Sequence, residues 1–484
     1  MTSSRGKSLI ISVAVAAVIV AGLGLRTLNI AHESAWLDEV LSLQCLDAPT
    51  LSAFLQGDRK VDSPLMMPVY FTLEYGWARL TGGSILAMRI LSLIFGVLTL
   101  PVMYAFGRRL YGPLAGLVAT ACLAVSLPHI FFAQEIRMYS LQGLLVLLSF
   151  YTLWEASRSS GRLYLCLHIL VNGLLLWTHL MSALLFVPQA VYWLMIHRRN
   201  VRRLAAWGGA HAVIGASGVA WILANGVPRE ASWMPEASVR ELINTFLIFA
   251  GGRASNMNPG PYLPANINLD LFLSAGIAAM VVGLAWWSLK RDKPEPARDS
   301  LALLLLWLVV PSLLLLAVSS LWRPCFLYRY VIGSSLAVPL IIGAAVVSMK
   351  RVRWRVVTCL LLAAMYGHQL LVLNGPFRPD YREAAQYLNA RASETDRLLI
   401  LKSLNTVPFQ YQCHVPMKYI DTFEGFEPLC ANAVEHASRT TVYVLMWRWD
   451  DTALFETKME QAQCRVERQA VGGMPPVLIY TVTK

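Results

Sequence analysis

Long apolar runs alternate along this chain with short polar connectors, and their lengths set the architecture. Leu9–Leu28 would form about 30 Å of helix, enough to cross a bilayer, with Arg26 near its far end as the one charge. Runs of the same texture follow at Ile85–Phe106, Leu114–Phe132, Leu141–Trp154, Leu163–Trp177, Leu180–Ile196 and Leu204–Leu223. Four more lie at Leu271–Leu289, Leu301–Leu321, Val331–Met349 and Val356–Leu373, giving about eleven spans on a 20-residue template. A signal peptide would have a shorter apolar region and would not be followed by further spans.

From Gly375 the pattern changes. Apolar runs shorten to strand length at Arg397–Leu401, Thr441–Met446 and Val477–Val482, separated by helix-like stretches at Tyr381–Arg391 and Thr452–Cys464. The sequence thus predicts an α-helical polytopic domain over 1–374 and a small α/β domain over 375–484.

Charge then orients the spans. Arg5 and Lys7 before the first run keep the N-terminus cytoplasmic, and alternation brings Arg108-Arg109, Arg158 with Arg162, His197 to Arg203, Lys290 to Lys293, and Lys350 to Arg355 to that same side. An odd number of spans leaves the C-terminal domain extracytoplasmic, with the chain in the cytoplasmic (inner) membrane. Hydrophobic residues are 56% of the 484 and charged residues 14%, which excludes an ordinary soluble globule. The formal charge of +12 sits in short clusters between spans rather than one stripe, so no nucleic-acid partner is implied. The eight Cys form no C-x-x-C pair and no zinc spacing. Cys122, Cys166 and Cys359 read as small apolar residues of spans, and Cys413, Cys430 and Cys464 fall in the outer domain with their pairing open.

Two outer segments, Asn29–Ser84 and Asn225–Asp270, are too long to be connectors. In the first, Trp36, Leu37, Val40, Leu41 and Leu43 form an apolar band at helical spacing, and Pro64–Leu80 holds another; both predict interfacial helices. The first helix would carry Asp38 and Glu39, about 100° apart, so one carboxylate faces a reacting atom while the other does not. The alternative is a solvated first turn with favourable charge. The short loop Gln134-Glu135-Ile136-Arg137-Met138-Tyr139 holds charges that are costly at membrane depth unless paired or used. Arg137 could grip a lipid-linked phosphate, form a pair with Glu135, or snorkel to headgroups. Trp322 to Tyr330 repeats the theme with Arg323, Arg329 and Tyr330, two outward arginines that an aromatic belt does not explain. His179 closes the fifth span as either a satisfied interfacial residue or an acid-base group. P-loop, G-x-G-x-x-G, H-E-x-x-H, G-x-S-x-G and D-x-D patterns do not occur, which disfavours a cytosolic nucleotide donor.

Taken together, Asp38-Glu39 after the first span, Asp62-Ser63-Pro64 ahead of Val69-Tyr70-Phe71, Arg89 in Ala87 to Ser92, and Gln134 to Leu141 resemble the family 39 membrane glycosyltransferases of the GT-C superfamily. These include protein O-mannosyltransferases and lipid A aminoarabinose transferases. The resemblance runs over Leu9 to about Trp154, is weaker at Phe326–Pro339, and lacks detail elsewhere.

It implies a sugar carried on polyprenyl phosphate and transferred, outside the cytoplasmic membrane, to a glycan, lipid or protein acceptor. Asp38 matches the family's catalytic acid and Glu39 its neighbour; Arg137 and Arg329 match basic positions near the lipid phosphate. Glu135, Tyr139, His179, Arg323 and Tyr330 would support them. Asp62 falls where some members contact a metal or the acceptor, so a divalent metal is open, with no other cofactor implied. The segment Ser63 to Pro68 departs from the family's compact Pro-Pro-Leu run, and no metal partner for Asp62 is evident. Two other classes remain. A lipid-linked glycan transporter would show inverted repeats, which are not detected. A glycan polymerase or ligase would use a lipid-diphosphate donor.

Overall fold

The computed structural model describes residues 4–56, 67–226, 237–250, 275–276, 278–279, 282–283, 295–322, 324–374, 380–401, 409, 414–423, 426–446, 452–471 and 477–484. They divide into two compact units. One holds the residues up to Leu28 and the described residues from Cys45 to Leu370; the other holds Asn29–Gln44 and the described residues from Leu371 to Lys484.

In chain order the helices are α1 Ser4–Thr27, α2 Leu37–Gln44, α3 Leu51–Leu55, α4 Pro68–Thr81, α5 Ile85–Tyr111, α6 Pro113–Ala124, α7 Leu127–Ala133 and α8 Tyr139–Arg158. They continue with α9 Leu163–Thr178, α10 Phe186–His197, α11 Val201–Asn225, α12 Val239–Phe249, α13 Glu295–Leu321, α14 Ala337–Ser348 and α15 Val352–Leu370. The first unit is a helical bundle; α2 belongs to the second. Among the described residues six helical segments are long and apolar enough to cross a membrane, and a bent pair makes a possible seventh. Tyr139–Arg158, Leu163–Thr178 and Val352–Leu370 are also helical where runs were expected, whereas most of Leu271–Leu289 lies outside the described residues.

Small residues draw the central helices together, as packing without a hydrophobic drive between spans requires. A Cβ on Gly107 would stand 2.8 Å from the Gly116 Cα, joining α5 to α6. One on Gly343 would stand 2.5 Å from the Ala115 carbonyl oxygen, joining α14 to α6. Phe150 on α8 and Trp307 on α13 stack with centroids 4.1 Å apart. Cys122 is buried in this core, but Cys166 is exposed rather than packed.

The expected span Leu114–Phe132 is not one straight helix. It breaks after Ala124 and turns by 63° into α7. Arg26, fully buried at the end of α1, donates to the Leu123 and Ala124 carbonyls, 3.0 Å each, and to Gly22 at 3.1 Å. Those are C-terminal carbonyls of α6, where a cation meets both unsatisfied acceptors and the negative end of the helix dipole. Two other expected spans open as 3₁₀ segments, Leu180–Leu185 before α10 and Tyr328–Leu336 before α14.

A second buried polar feature ties α8 to α11. Ser149 donates to the Asn172 Oδ1 at 2.5 Å and accepts from the Gln189 Nε2 at 2.9 Å. Asn172 Nδ2 lies 2.8 Å from the Gln189 Oε1 and 2.7 Å from the His211 Nε2, and Trp207 donates to the His168 Nε2 at 3.1 Å.

The second unit contains β1 Arg397–Leu401, β2 Tyr419–Phe423, β3 Val442–Met446, β4 Arg465–Val471 and β5 Val477–Thr483, with α16 Tyr381–Asn389, α17 Phe426–Ala437 and α18 Thr452–Gln461. The sheet order is β2-β1-β3-β5-β4; β1 pairs in parallel with β2 and β3, while β5 pairs antiparallel with β3 and β4. β3 is buried along its whole length. Asn29 donates to the Leu373 carbonyl at 2.8 Å, and Ser34 to the Asp380 Oδ1 at 3.0 Å, so the segment before α2 is bound to this unit. Cys430 and Cys464 are both buried and unbridged; Cys413 lies outside the described residues.

Candidate active site

In the first unit the loop between α7 and α8 is buried throughout. Glu135 is fully buried and Arg137 is 2% exposed. Arg137 therefore does not snorkel to headgroups. The loop is fixed from several sides. Gln134 Nε2 donates to the Arg26 and Leu28 carbonyls at 3.1 and 2.8 Å, and Ser92 on α5 donates to the Arg137 carbonyl at 3.3 Å. Ser140 at the start of α8 donates to the Phe132 carbonyl at 2.8 Å. A Cβ on Gly96 would meet the Ala133 Cβ at 2.6 Å, so α5 and the end of α7 are in close approach. Two ionisable side chains are thereby held on an immobile turn, at a cost that pairing or use must offset.

Aromatic groups surround that turn. Tyr139 lies 6.2 Å from the buried His179, just past α9, and His179 lies 5.1 Å from Tyr330, measured between ring centres. The Arg329 Cζ stands 5.9 Å from the Tyr330 ring centre, and Tyr328 feels the charges of both Arg329 and Glu135. The 3₁₀ opening of the Tyr328–Leu336 segment brings these residues round. Thus Glu135, Arg137, Tyr139, His179, Arg329 and Tyr330 gather in one cluster within the first unit. Arg89 of α5 is also fully buried. Arg323 and Asp62 lie outside the described residues.

Glu74, which the sequence reading does not single out, belongs to the same cluster. It lies on α4 one turn after Tyr70, so the two share a face. Tyr70 is fully buried with its hydroxyl 3.4 Å from the Ser92 Oγ, the same Ser92 that holds the Arg137 carbonyl. Glu74 is fully buried, and neither carboxylate oxygen has a hydrogen-bond partner among the described residues. Burial pushes its carboxyl up to about 8, against the opposing pull of the Arg137 charge. The Tyr70 hydroxyl is likewise held well above its ordinary range, chiefly by burial and then by the Glu74 charge. The available signal is an acid set among the apolar and aromatic residues Val69, Tyr70, Phe71, Leu73, Tyr75 and Trp77.

In the second unit, Asp38 and Glu39 occupy the first turn of α2. Asp38 is 7% exposed and Glu39 fully buried, so the reading of a solvated turn does not hold. Glu39 Oε2 accepts from the Trp36 backbone N–H at 3.3 Å, a capping contact that uses this carboxylate structurally. Among the described residues no group of three or more His, Cys, Asp or Glu is arranged to hold a metal ion.

The model of the dolichyl-phosphate-mannose-protein mannosyltransferase family matches residues 62–222, which include α4 to α10, most of α11 and the Gln134–Tyr139 turn. The fold resembles that of ArnT from Cupriavidus metallidurans in its apo state, with 13% identity, a TM-score of 0.52 and 98% of each chain covered. The undecaprenyl-phosphate-bound form of ArnT gives 13% identity and a TM-score of 0.50, covering 99% of this chain and 98% of that one. The Archaeoglobus fulgidus oligosaccharyltransferase aligns at 12% identity and a TM-score of 0.49, over 92% of this chain and 70% of that one. No curated protein sequence matches significantly. The fold is thus shared with ArnT over nearly the whole chain, the family match is centred on the buried turn, and the long apolar helices mark a multi-pass membrane protein.

Proposed function

We propose that the protein transfers a sugar from a polyprenyl-phosphate donor to an acceptor hydroxyl on the outer face of the cytoplasmic membrane, using Arg137 and Arg329 to hold the donor phosphate. The observation that carries this reading is Arg137, a guanidinium kept 2% exposed on a turn braced by Gln134, Ser92 and Ser140. Planar donors in a dry site suit a phosphate whose charge grows as the sugar leaves. Undecaprenyl phosphate in ArnT, and dolichyl phosphate mannose in the family description, support a donor of this class.

Asp38 would take the proton of the acceptor, while Glu39, already engaged as a cap, maintains the helix turn. The acceptor oxygen forms the new bond to the sugar's anomeric carbon as the bond from that carbon to the phosphate oxygen breaks, its electrons staying with phosphate. Tyr139, His179 and Tyr330 line the phosphate cluster, with Glu135 balancing its arginines. Asp62 and Arg323, both outside the described residues, remain candidates for metal or acceptor contact and for phosphate contact, respectively.

Turnover by purified enzyme in nanodiscs tests the assignment. Asp38→Asn is expected to fold and bind donor yet lose about 10²–10⁴-fold in rate. Near-normal turnover would remove Asp38 from the chemistry.

A further inference from the structure

Glu74 is unused by the reaction as written, yet it is the most unusual carboxylate among the described residues. A buried anion with no hydrogen-bond donor is costly, so an acid in this position persists either as a neutral group or with a ligand that serves it. Its surroundings specify which ligand would do so. Tyr70 and Glu74 share one face of α4, and Tyr70, Ser92 and the Arg137 carbonyl form a continuous contact leading to the turn. The Arg137 charge reaches Glu74 itself, and those of Arg137 and Glu135 both reach Tyr70. Of the other elements packed on α4, α5 contributes the buried Arg89, α9 ends beside His179, and α3 carries no titratable side chain.

We propose that Glu74 is a protonated carboxylic acid that donates a hydrogen bond to the phosphate of the lipid carrier, making a neutral donor the partner of the Arg137 guanidinium. This rests on the reading of Arg137 as a phosphate ligand. A neutral acid adds a donor without adding positive charge, and it is matched to the carrier after transfer, when the freed phosphate oxygen can accept the proton. Glu74 makes no bond to carbon. It lends one proton to a phosphate oxygen, which returns it as the carrier leaves.

The sign of the pH dependence follows. Below about 8 Glu74 is neutral and supports the phosphate; above it the carboxylate repels the phosphate. A bound anion raises the carboxyl further, so carrier affinity falls by up to ~10-fold for each pH unit above that point.

The test is binding of undecaprenyl phosphate to the full chain in nanodiscs at about pH 7 and about pH 9. Wild type should lose roughly tenfold in affinity over that interval, whereas Glu74→Gln, a neutral side chain with an N–H donor, should change less than about threefold. Ionisation of the carrier itself is common to both. Parallel profiles overturn the proposal. Should the glutamine variant fail to fold, infrared spectroscopy of wild type decides: a carboxylic-acid carbonyl band present at neutral pH, lost in alkali and retained when carrier is added supports it, and absence of that band overturns it. Arg137→Ala separates the two readings. If it binds carrier like wild type, the phosphate assignment fails; if it loses binding while Glu74→Gln tracks wild type, only Glu74 is excluded.

Discussion

Arg26 offers the sharpest test of how the fold holds its buried turn. Replacing it with Met preserves an unbranched side chain of similar length but removes every donor. Two losses can be read from the structure. The Ala124 carbonyl, 3.0 Å from the guanidinium, is left with no partner among the described residues, and the Leu123 carbonyl keeps the Val125 N–H and the Ser126 N–H, the latter at 3.3 Å. A buried acceptor left unmade costs about 1–3 kcal/mol, and a hydrogen bond to a charged group contributes about 1.5–3 kcal/mol. Relief of the guanidinium's own desolvation offsets part of this, so a net loss of about 2–4 kcal/mol is expected at the α6–α7 break. Cys122, buried two residues before Ala124, reports locally on that end. In a background otherwise free of cysteine, its maleimide labelling through transient opening should rise about 30-fold or more for a loss of 2 kcal/mol. Turnover should fall as well, because Arg26's own carbonyl receives the Gln134 amide and the turn would lose an anchor's position. If Cys122 labels within twofold of wild type and turnover is intact, Arg26 does not hold the break.

Two further perturbations address the same framework. Gly96→Ala inserts a methyl 2.6 Å from the Ala133 Cβ, forcing α5 and α7 apart; a displacement near 1 Å should cut turnover about 10²-fold, and full activity in a turnover assay would show the turn is not so constrained. Asn172→Leu strips partners from Ser149, Gln189 and His211; a loss of about 1–3 kcal/mol should appear as a lower thermal midpoint in detergent, and an unchanged midpoint would make the network energetically idle.

The helical architecture is legible where hydrophobic period and length speak together, as at Ile85–Tyr111 and Glu295–Leu321. The break after Ala124 is legible only in part: Pro128 offers no N–H to the Ala124 carbonyl four residues before it, but the donor that replaces it, Arg26, is 98 positions away. In the α/β unit, buried β1, β3 and β5 declare themselves as apolar runs. The sheet-edge strands Tyr419–Phe423 and Arg465–Val471 do not, because their largely exposed positions carry Asp421, Glu467 and Arg468 and erase the alternation. The Gln134–Tyr139 turn draws attention through charge at membrane depth, and its tie to His179, Arg329 and Tyr330 needs the tertiary fold. Glu74 escapes because an acid on a helix is ordinarily solvated, and only its burial makes it unusual.

The polar network linking α8 to α11 has a direction. The Ser149 and Trp207 carbonyls can only accept, so His168 and His211, 3.1 and 2.8 Å away, must both carry their proton on Nδ1 and offer a bare Nε2 inward. Trp207 fills one bare nitrogen and Asn172 the other, leaving the second amide hydrogen of Asn172 for Gln189, which in turn donates to Ser149. Every arrow is then fixed by its neighbours, and none can be reversed alone. Sliding any one of these four helices by a residue would set donor against donor inside an apolar bundle, so the circuit works as a key that admits a single vertical alignment of the helices.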